Sequence, residues 1–246
     1  MRIHFPYVII SAVISILTLS CDTDQAPECF KTSGEPSAIE FELNPFHSIV
    51  VMDEADVYLE NGRNQRVEVK AGKNLISDIH FDVQDSVLTI RNGNKCNWRR
   101  MPGNPGIYIQ NDRLRRIEIY DYANFFTPDT LALDELTLYS DGTGNFELAV
   151  DINTLRVESI YVSNFHLSGK VMFLEISFGY DSQFHGKDLI SDFNNIQHFG
   201  SNLIEIFPLK EMTGELGSTG SLCYFHEPEY MDVKISHTGQ LKNCYQ

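Results

Sequence analysis

Glu147, His166 and His185 stand 19 residues apart. If the chain returns to the same place every 19 residues, this carboxylate and two imidazoles form one column of zinc-ligand types. The next positions in that spacing are Ile204, Cys223 and Lys242, which do not continue the set. The expectation is therefore of no metal and no cofactor. Glycosidic-bond cleavage would need clustered carboxylates. Asp121, Asp141 and Asp181 are the candidates, but they do not share one position of the 19-residue frame and no Arg or Lys column accompanies them. Cysteine chemistry is more legible. Beyond Cys21 there are four cysteines, Cys29, Cys96, Cys223 and Cys244, with no C-x-x-C spacing. An even set of this kind reads as two disulfides if the chain is exported.

The elements that must position these residues follow from the same spacing. Phe146, Phe165, Phe184, Leu203, Leu222 and Leu241 form a large apolar column at steps of 19. Just before it run Asn145, Asn164, Gln183, Asn202, Ser221 and Gln240, and before those Gly144, Ser163, Ser182, Ser201, Gly220 and Gly239. Ten residues upstream of the first column lie Leu136, Leu155, Leu174, Phe193, Met212 and Met231. Equivalent positions that keep one chemical type mark a solenoid. Within a rung the apolar residues alternate, as in Leu155, Val157 and Phe165, Leu167, which is the period of a strand. Nineteen residues are too few for a strand, a helix and two turns. Leucine-rich repeats come nearest in length, but their Asn follows the Leu-x-Leu pair closely, and here Asn145 lies seven residues past Leu138. The spacing predicts an all-β, single-stranded β-solenoid (β-helix), with phenylalanines stacked inside and amides laddered at a corner about 4.8 Å apart. One rung past Cys223 is position 242, so Cys223 and Cys244 are expected on adjacent rungs and within bridging reach. Cys29 would then pair with Cys96.

The N-terminus points outward from the cell. Residues 1–20 carry one Arg, no acid and an apolar run from Val8 to Leu19, the pattern of a secretory signal too short to span a bilayer. Leu17-Thr18-Leu19-Ser20-Cys21 resembles a bacterial lipoprotein box, which makes Cys21 the expected lipidation site and the membrane the expected first partner. Residues 21–37 read as anchor and tether. Without residues 1–20, 18 basic side chains face 34 acidic ones, a balance that disfavours nucleic acid. Seven of those basic residues lie between Arg91 and Arg116, around Trp98. A loop over 91–106 carrying Arg91, Lys95, Trp98, Arg99 and Arg100 is therefore a candidate grip for an anionic glycan or an acidic protein. Bursts of alternation from Ile39 to Ile90, broken at Asn61-Gly62, Ala71-Gly72 and Asn92-Gly93, predict a less regular β-solenoid part over 38–112, followed by the regular repeats over 113–246.

The residues Phe46, Ile49, Val51, Ala55-Asp56-Val57-x-Leu59, Gly62, Gln65, Val67-x-Val69-x-Ala71 and Asn74-Leu75-Ile76 resemble the opening of the head GIN domain family of adhesin-like proteins. The likeness continues through Leu88-x-Ile90 and the Ser/Gly-Asn/Ser-Phe/Leu rungs. It departs at Ser86-Val87 and in the basic insert after Ile90. That family consists of envelope lipoproteins and secreted proteins common in Bacteroidetes. The resemblance implies a right-handed β-solenoid at the outer membrane or cell surface, and it supplies no catalytic residues. The expectation is a non-catalytic surface scaffold that contacts a glycan or protein, with a carbohydrate-active β-helix enzyme (a polysaccharide lyase or glycosidase) as the alternative.

Overall fold

The computed structural model describes residues 32–94 and 105–245. The signal segment, Cys21, Cys29, Lys95, Cys96, Trp98, Arg99 and Arg100 lie outside the described residues. The chain forms a β-solenoid of about seven turns, with rungs of about 19 residues in its C-terminal region. Seventeen strands build it: β1 (Pro36–Phe41), β2 (Ser48–Val51), β3 (Ala55–Glu60), β4 (Arg66–Gly72), β5 (Ile79–Gln84), β6 (Val87–Asn92), β7 (Gly106–Gln110), β8 (Arg116–Ile119), β9 (Tyr122–Phe126), β10 (Leu131–Ser140), β11 (Thr143–Ser159), β12 (Val162–Phe178), β13 (Gln183–His198), β14 (Leu203–Leu216), β15 (Ser221–Tyr224), β16 (Tyr230–Ile235) and β17 (Gln240–Asn243). One short helical turn, α1 (Lys73–Ile76), follows β4.

Two parallel faces run the length of the stack. The first contains β6, β2, β8, β10, the second halves of β11 to β14, and β16. The second contains β7, β3, β9, the first halves of β11 to β14, then β15 and β17. The coils are not stacked in chain order at the N-terminal end. β2–β3 sits between β6–β7 and β8–β9. Beyond the β6–β7 coil, β5 pairs antiparallel with β6, β4 with β7, and β1 with β4.

Alternation places one side of every strand inside. Phe125, Phe146, Phe165 and Phe184 are in register and wholly buried. The rings of Phe125, Phe146 and Phe165 stack at 5.4 and 4.8 Å, and Phe165 then stacks on Phe178 at 5.4 Å. The amide ladder is also present: Asn145 Nδ2 donates to Asn124 Oδ1 at 2.8 Å, and Asn164 Nδ2 to Asn145 Oδ1 at 3.0 Å. At the adjoining corner the serines of the small column hydrogen-bond to serines that end the strands β10 and β11, Ser163 with Ser140 and Ser182 with Ser159, each hydroxyl pair at 2.7 Å.

The strict 19-residue apolar columns fail at two members, Phe193 and Leu203, and the amide column fails at Asn202. Between β12 and β13 the register steps, so that Gly186 and Lys187 together oppose Leu167. This extra residue is a β-bulge, and it shifts the 19-residue frame by one until the 18-residue steps from Asn194 to Met212 and from Ile204 to Leu222 restore it. Leu174 is therefore opposite Asn194, not Phe193, and Phe184 is opposite Ile204, not Leu203. Asn194 takes the inward place, where it accepts from Ser191 Oγ at 2.6 Å and donates to the Glu211 carbonyl at 3.0 Å. Phe193 turns outward onto Phe173, with ring centroids 5.1 Å apart. Leu203 precedes Ser221 in the amide column, while Asn202 sits in the turn and donates to the Asp181 carbonyl.

The expected C-terminal bridge is present. Cys223 lies opposite Lys242, and its sulfur is bonded to that of Cys244 with a Cα separation of 5.8 Å.

Candidate functional site

The outward column beside the amide ladder carries the residue types that first suggested chemistry. Glu147, His166 and His185 are aligned, and the bulge brings Glu205, not Ile204, to the next place. The two imidazoles stack with ring centroids 4.4 Å apart. His185 has both nitrogens engaged: Nδ1 lies 2.6 Å from Glu205 Oε2 and Nε2 lies 3.2 Å from Gln183 Oε1. Both ring nitrogens thus face side-chain oxygens, one on the next rung and one on its own strand. Burial and then the neighbouring His185 hold the His166 imidazole below its ordinary pKa. Among the described residues no group of three or more His, Cys, Asp or Glu is arranged to hold a metal ion. What the column offers is a polar strip with fixed spacing.

Toward the N-terminal end the same strip becomes aromatic. Tyr58 stacks on Tyr108 at 4.6 Å and on Phe126 at 5.1 Å, and Lys70 Nζ lies 3.8 Å from the Tyr108 ring centroid. Because these rings pile along the solenoid axis, their faces are spent on one another and only their edges meet solvent. The strip therefore presents phenol hydroxyls and ring edges, not an open aromatic plane. The pattern Ala55-x-Val57-x-Leu59 places Tyr58 outward from sequence alone. Its partnership with Tyr108 was not legible, because nothing in the spacing says that β7 lies beside β3.

The basic segment is divided by the fold. Arg91 is exposed on β6. Arg116 lies on β8, where its Nε is 2.5 Å from Glu118 Oε1 and its guanidinium is 5.3 Å from the Tyr139 ring. Tyr120 donates to the other Glu118 oxygen at 2.7 Å, and that hydrogen bond, followed by burial, pushes its phenol up to about 12. Arg113 and Arg115 lie in the turn before β8 and line an open cleft of about 360 Å³. His47 and Ser86 stand on its wall, with Asp112, Asp134 and Glu135. The carboxylates already have partners. Arg113 is 4.0 Å from Asp112, Arg115 is 3.8 Å from Glu135, and Asn153 donates to Asp134 at 2.7 Å. The sequence marked these arginines as part of a basic run but gave no sign that the turn holding them borders a cleft.

A crystal structure of an adhesin-like protein from Bacteroides fragilis superposes with a TM-score of 0.76 at 16% identity, covering 85% of this chain and 97% of that one. A structure from Parabacteroides distasonis, described as a lipid binding protein, gives 0.59 at 13% identity with coverages of 85% and 97%. An adhesin-like protein from Parabacteroides merdae gives 0.54 at 16% identity, again with 85% and 97%. At these identities the likeness speaks for the fold. Comparison with curated proteins gave no match. The family model described as "Putative auto-transporter adhesin, head GIN domain" matches residues 45–228, from the last residues before β2 to the turn before β16. The chain thus belongs to the head GIN domain family of auto-transporter-adhesin-like proteins.

Proposed function

We propose that this protein is a non-catalytic, adhesin-like scaffold of the bacterial envelope or cell surface, tethered through lipid on Cys21, which contacts a glycan or another protein along its outward strips. The observation that carries the reading is the geometry of those strips. On the second face, polar and aromatic side chains repeat rung by rung, from Tyr108, Tyr58 and Phe126 through Glu147 and His166 to Glu205, on a backbone whose interior is continuously packed. Such a surface is rigid before binding, so little ordering entropy opposes a repetitive ligand. The family description agrees with a role in contact.

The cleft beside Arg113 and Arg115 is the place where an anionic group on that ligand would be held; Lys95, Trp98, Arg99 and Arg100 are a second candidate grip, on the sequence alone. A glycan array probed with the lipid-free protein tests this reading. Binding to acidic glycans that falls at least tenfold in Arg113→Ala with Arg115→Ala supports it. Unchanged binding in that variant and in Arg99→Ala with Arg100→Ala removes the basic residues from the account. The Cys21→Ser variant is expected to leave the membrane fraction, and unchanged fractionation would show that no lipid is attached there. The alternative of a carbohydrate-active enzyme has one specific observation in its favour, the presence of Asp112, Asp134 and Glu135 around one cleft. Release of reducing or unsaturated sugar ends from an array hit would establish it.

A further inference from the structure

The C-terminal end of the stack carries a self-complementary edge. β16 pairs with β14 on one side, and among the described residues nothing pairs with its other side. Its interior residues are left half covered: Met231 and Val233 are only partly buried, and Ile235 is 45% exposed. An open strand edge with apolar residues beneath it invites another strand. Its sequence specifies which one. Asp232 and Lys234 flank Val233 and point outward, while Met231, Val233 and Ile235 occupy the alternating inward positions.

We propose that this edge is an interface with a second copy of the same chain, formed by antiparallel self-pairing of β16 about a two-fold axis at Val233. In that register Asp232 of each copy lies opposite Lys234 of the other, Met231 lies opposite Ile235, and Val233 meets Val233. Directly opposed residues of an antiparallel pair point to the same side, so apolar meets apolar over the exposed end of the core and opposite charges meet outside. Lys234 already leans toward Glu215 on the rung below, 3.5 Å away, and can bridge both carboxylates. An edge lysine normally deters pairing. Here the acid two residues earlier supplies its counter-charge in this register alone, which favours a closed pair over open-ended stacking. Of the other edge strands among the described residues, β1 and β17 lack this arrangement and β5 has a histidine in the place of the lysine. The pair would leave its two N-terminal ends at opposite ends of one longer rod.

Sedimentation velocity on the purified full chain over a concentration series tests this. The native protein should show a reversible monomer–dimer equilibrium. Asp232→Lys should weaken it about tenfold, because two attractive pairs become two repulsive ones. Asp232→Lys combined with Lys234→Asp should restore it. Both sites are exposed, and an unchanged melting temperature verifies that the single variant is folded. A native protein that stays monomeric throughout, a dimer indifferent to Asp232→Lys, or a double exchange that fails to restore association would each overturn the proposal.

Discussion

The middle rungs and the last rung of the stack use the same column of residues but do not hold them alike. Phe165 in β12 has a phenylalanine in register on each side and is wholly buried, whereas Leu241, five rungs' worth of chain arithmetic from Phe146, sits in β17 with neighbours on one side and is only partly covered. In a solenoid, burial comes from the coil above as much as from the side chain itself, so position in the stack decides what a residue is worth. The two ends differ as well. The N-terminal coil β6–β7 is covered by antiparallel β5, β4 and β1, while the C-terminal coil ends on parallel strands held by the Cys223–Cys244 bridge.

The sharpest way to break this comparison is to place a charge in the same column at two heights. Phe165→Asp should abolish folding of the stack, since it buries an unpaired carboxylate among aromatic rings. Leu241→Asp should cost only about 1 kcal/mol, because its side chain can reach water. Similar melting temperatures for the two variants would contradict the account. A smaller effect, about 3 kcal/mol, is expected for Gly169→Ala: its φ is +109°, and an added Cβ would lie 2.0 Å from the Val150 carbonyl oxygen of the rung below. Denaturant titration measures that loss. Removing the bridge with Cys223→Ser and Cys244→Ser should cost about 2 to 3 kcal/mol and loosen the last rung first, visible as protease cleavage after Tyr224. The smallest effect is that of Asn145→Ala, about 1 kcal/mol, as Asn164 loses its acceptor.

pH offers a further test of the middle rungs. His198 is 1% exposed, its Nε2 donates to the Asn202 carbonyl at 2.8 Å, and its Nδ1 has no protein partner. Burial depresses its pKa below 6.5, against the raising effect of the Asn202 hydrogen bond. The unfolded chain therefore binds a proton at a pH where the folded one does not. Stability is full above about 6.5 and falls as pH drops toward the folded-state value. His166 shifts in the same direction and adds to the fall. Melting temperatures between about pH 7 and pH 5 should decline, and less steeply in His198→Gln; equal slopes would exclude His198 as a cause.

The architecture was legible because a stacked coil writes its period into the sequence: Phe146, Phe165 and Phe184, the Asn145–Asn164 ladder and the reach of Cys223 to Cys244 all follow from steps of 19. The errors at Phe193 and Leu203 have one origin. Fixed-step arithmetic cannot see an inserted residue, and apolar side chains happened to occupy the positions that the bulge at Gly186 and Lys187 turned away from the core. For the same reason Glu205 was missed as the partner of His185. The N-terminal coils were read as strands but not ordered, since the placing of β2–β3 between β6–β7 and β8–β9 depends on long-range pairing with no periodic signature. The cleft at Arg113 and Arg115 shares that difficulty, because its walls come from distant parts of the chain.

Hydrogen exchange of backbone amides tests the stacked-coil account most directly. Most of β11 to β13 is paired with a rung on each side, so exchange there should be slowest, and β17, paired on one side by β15, should exchange faster by orders of magnitude. Equal protection in β12 and β17, or rapid exchange through β12 in the intact protein, would contradict it.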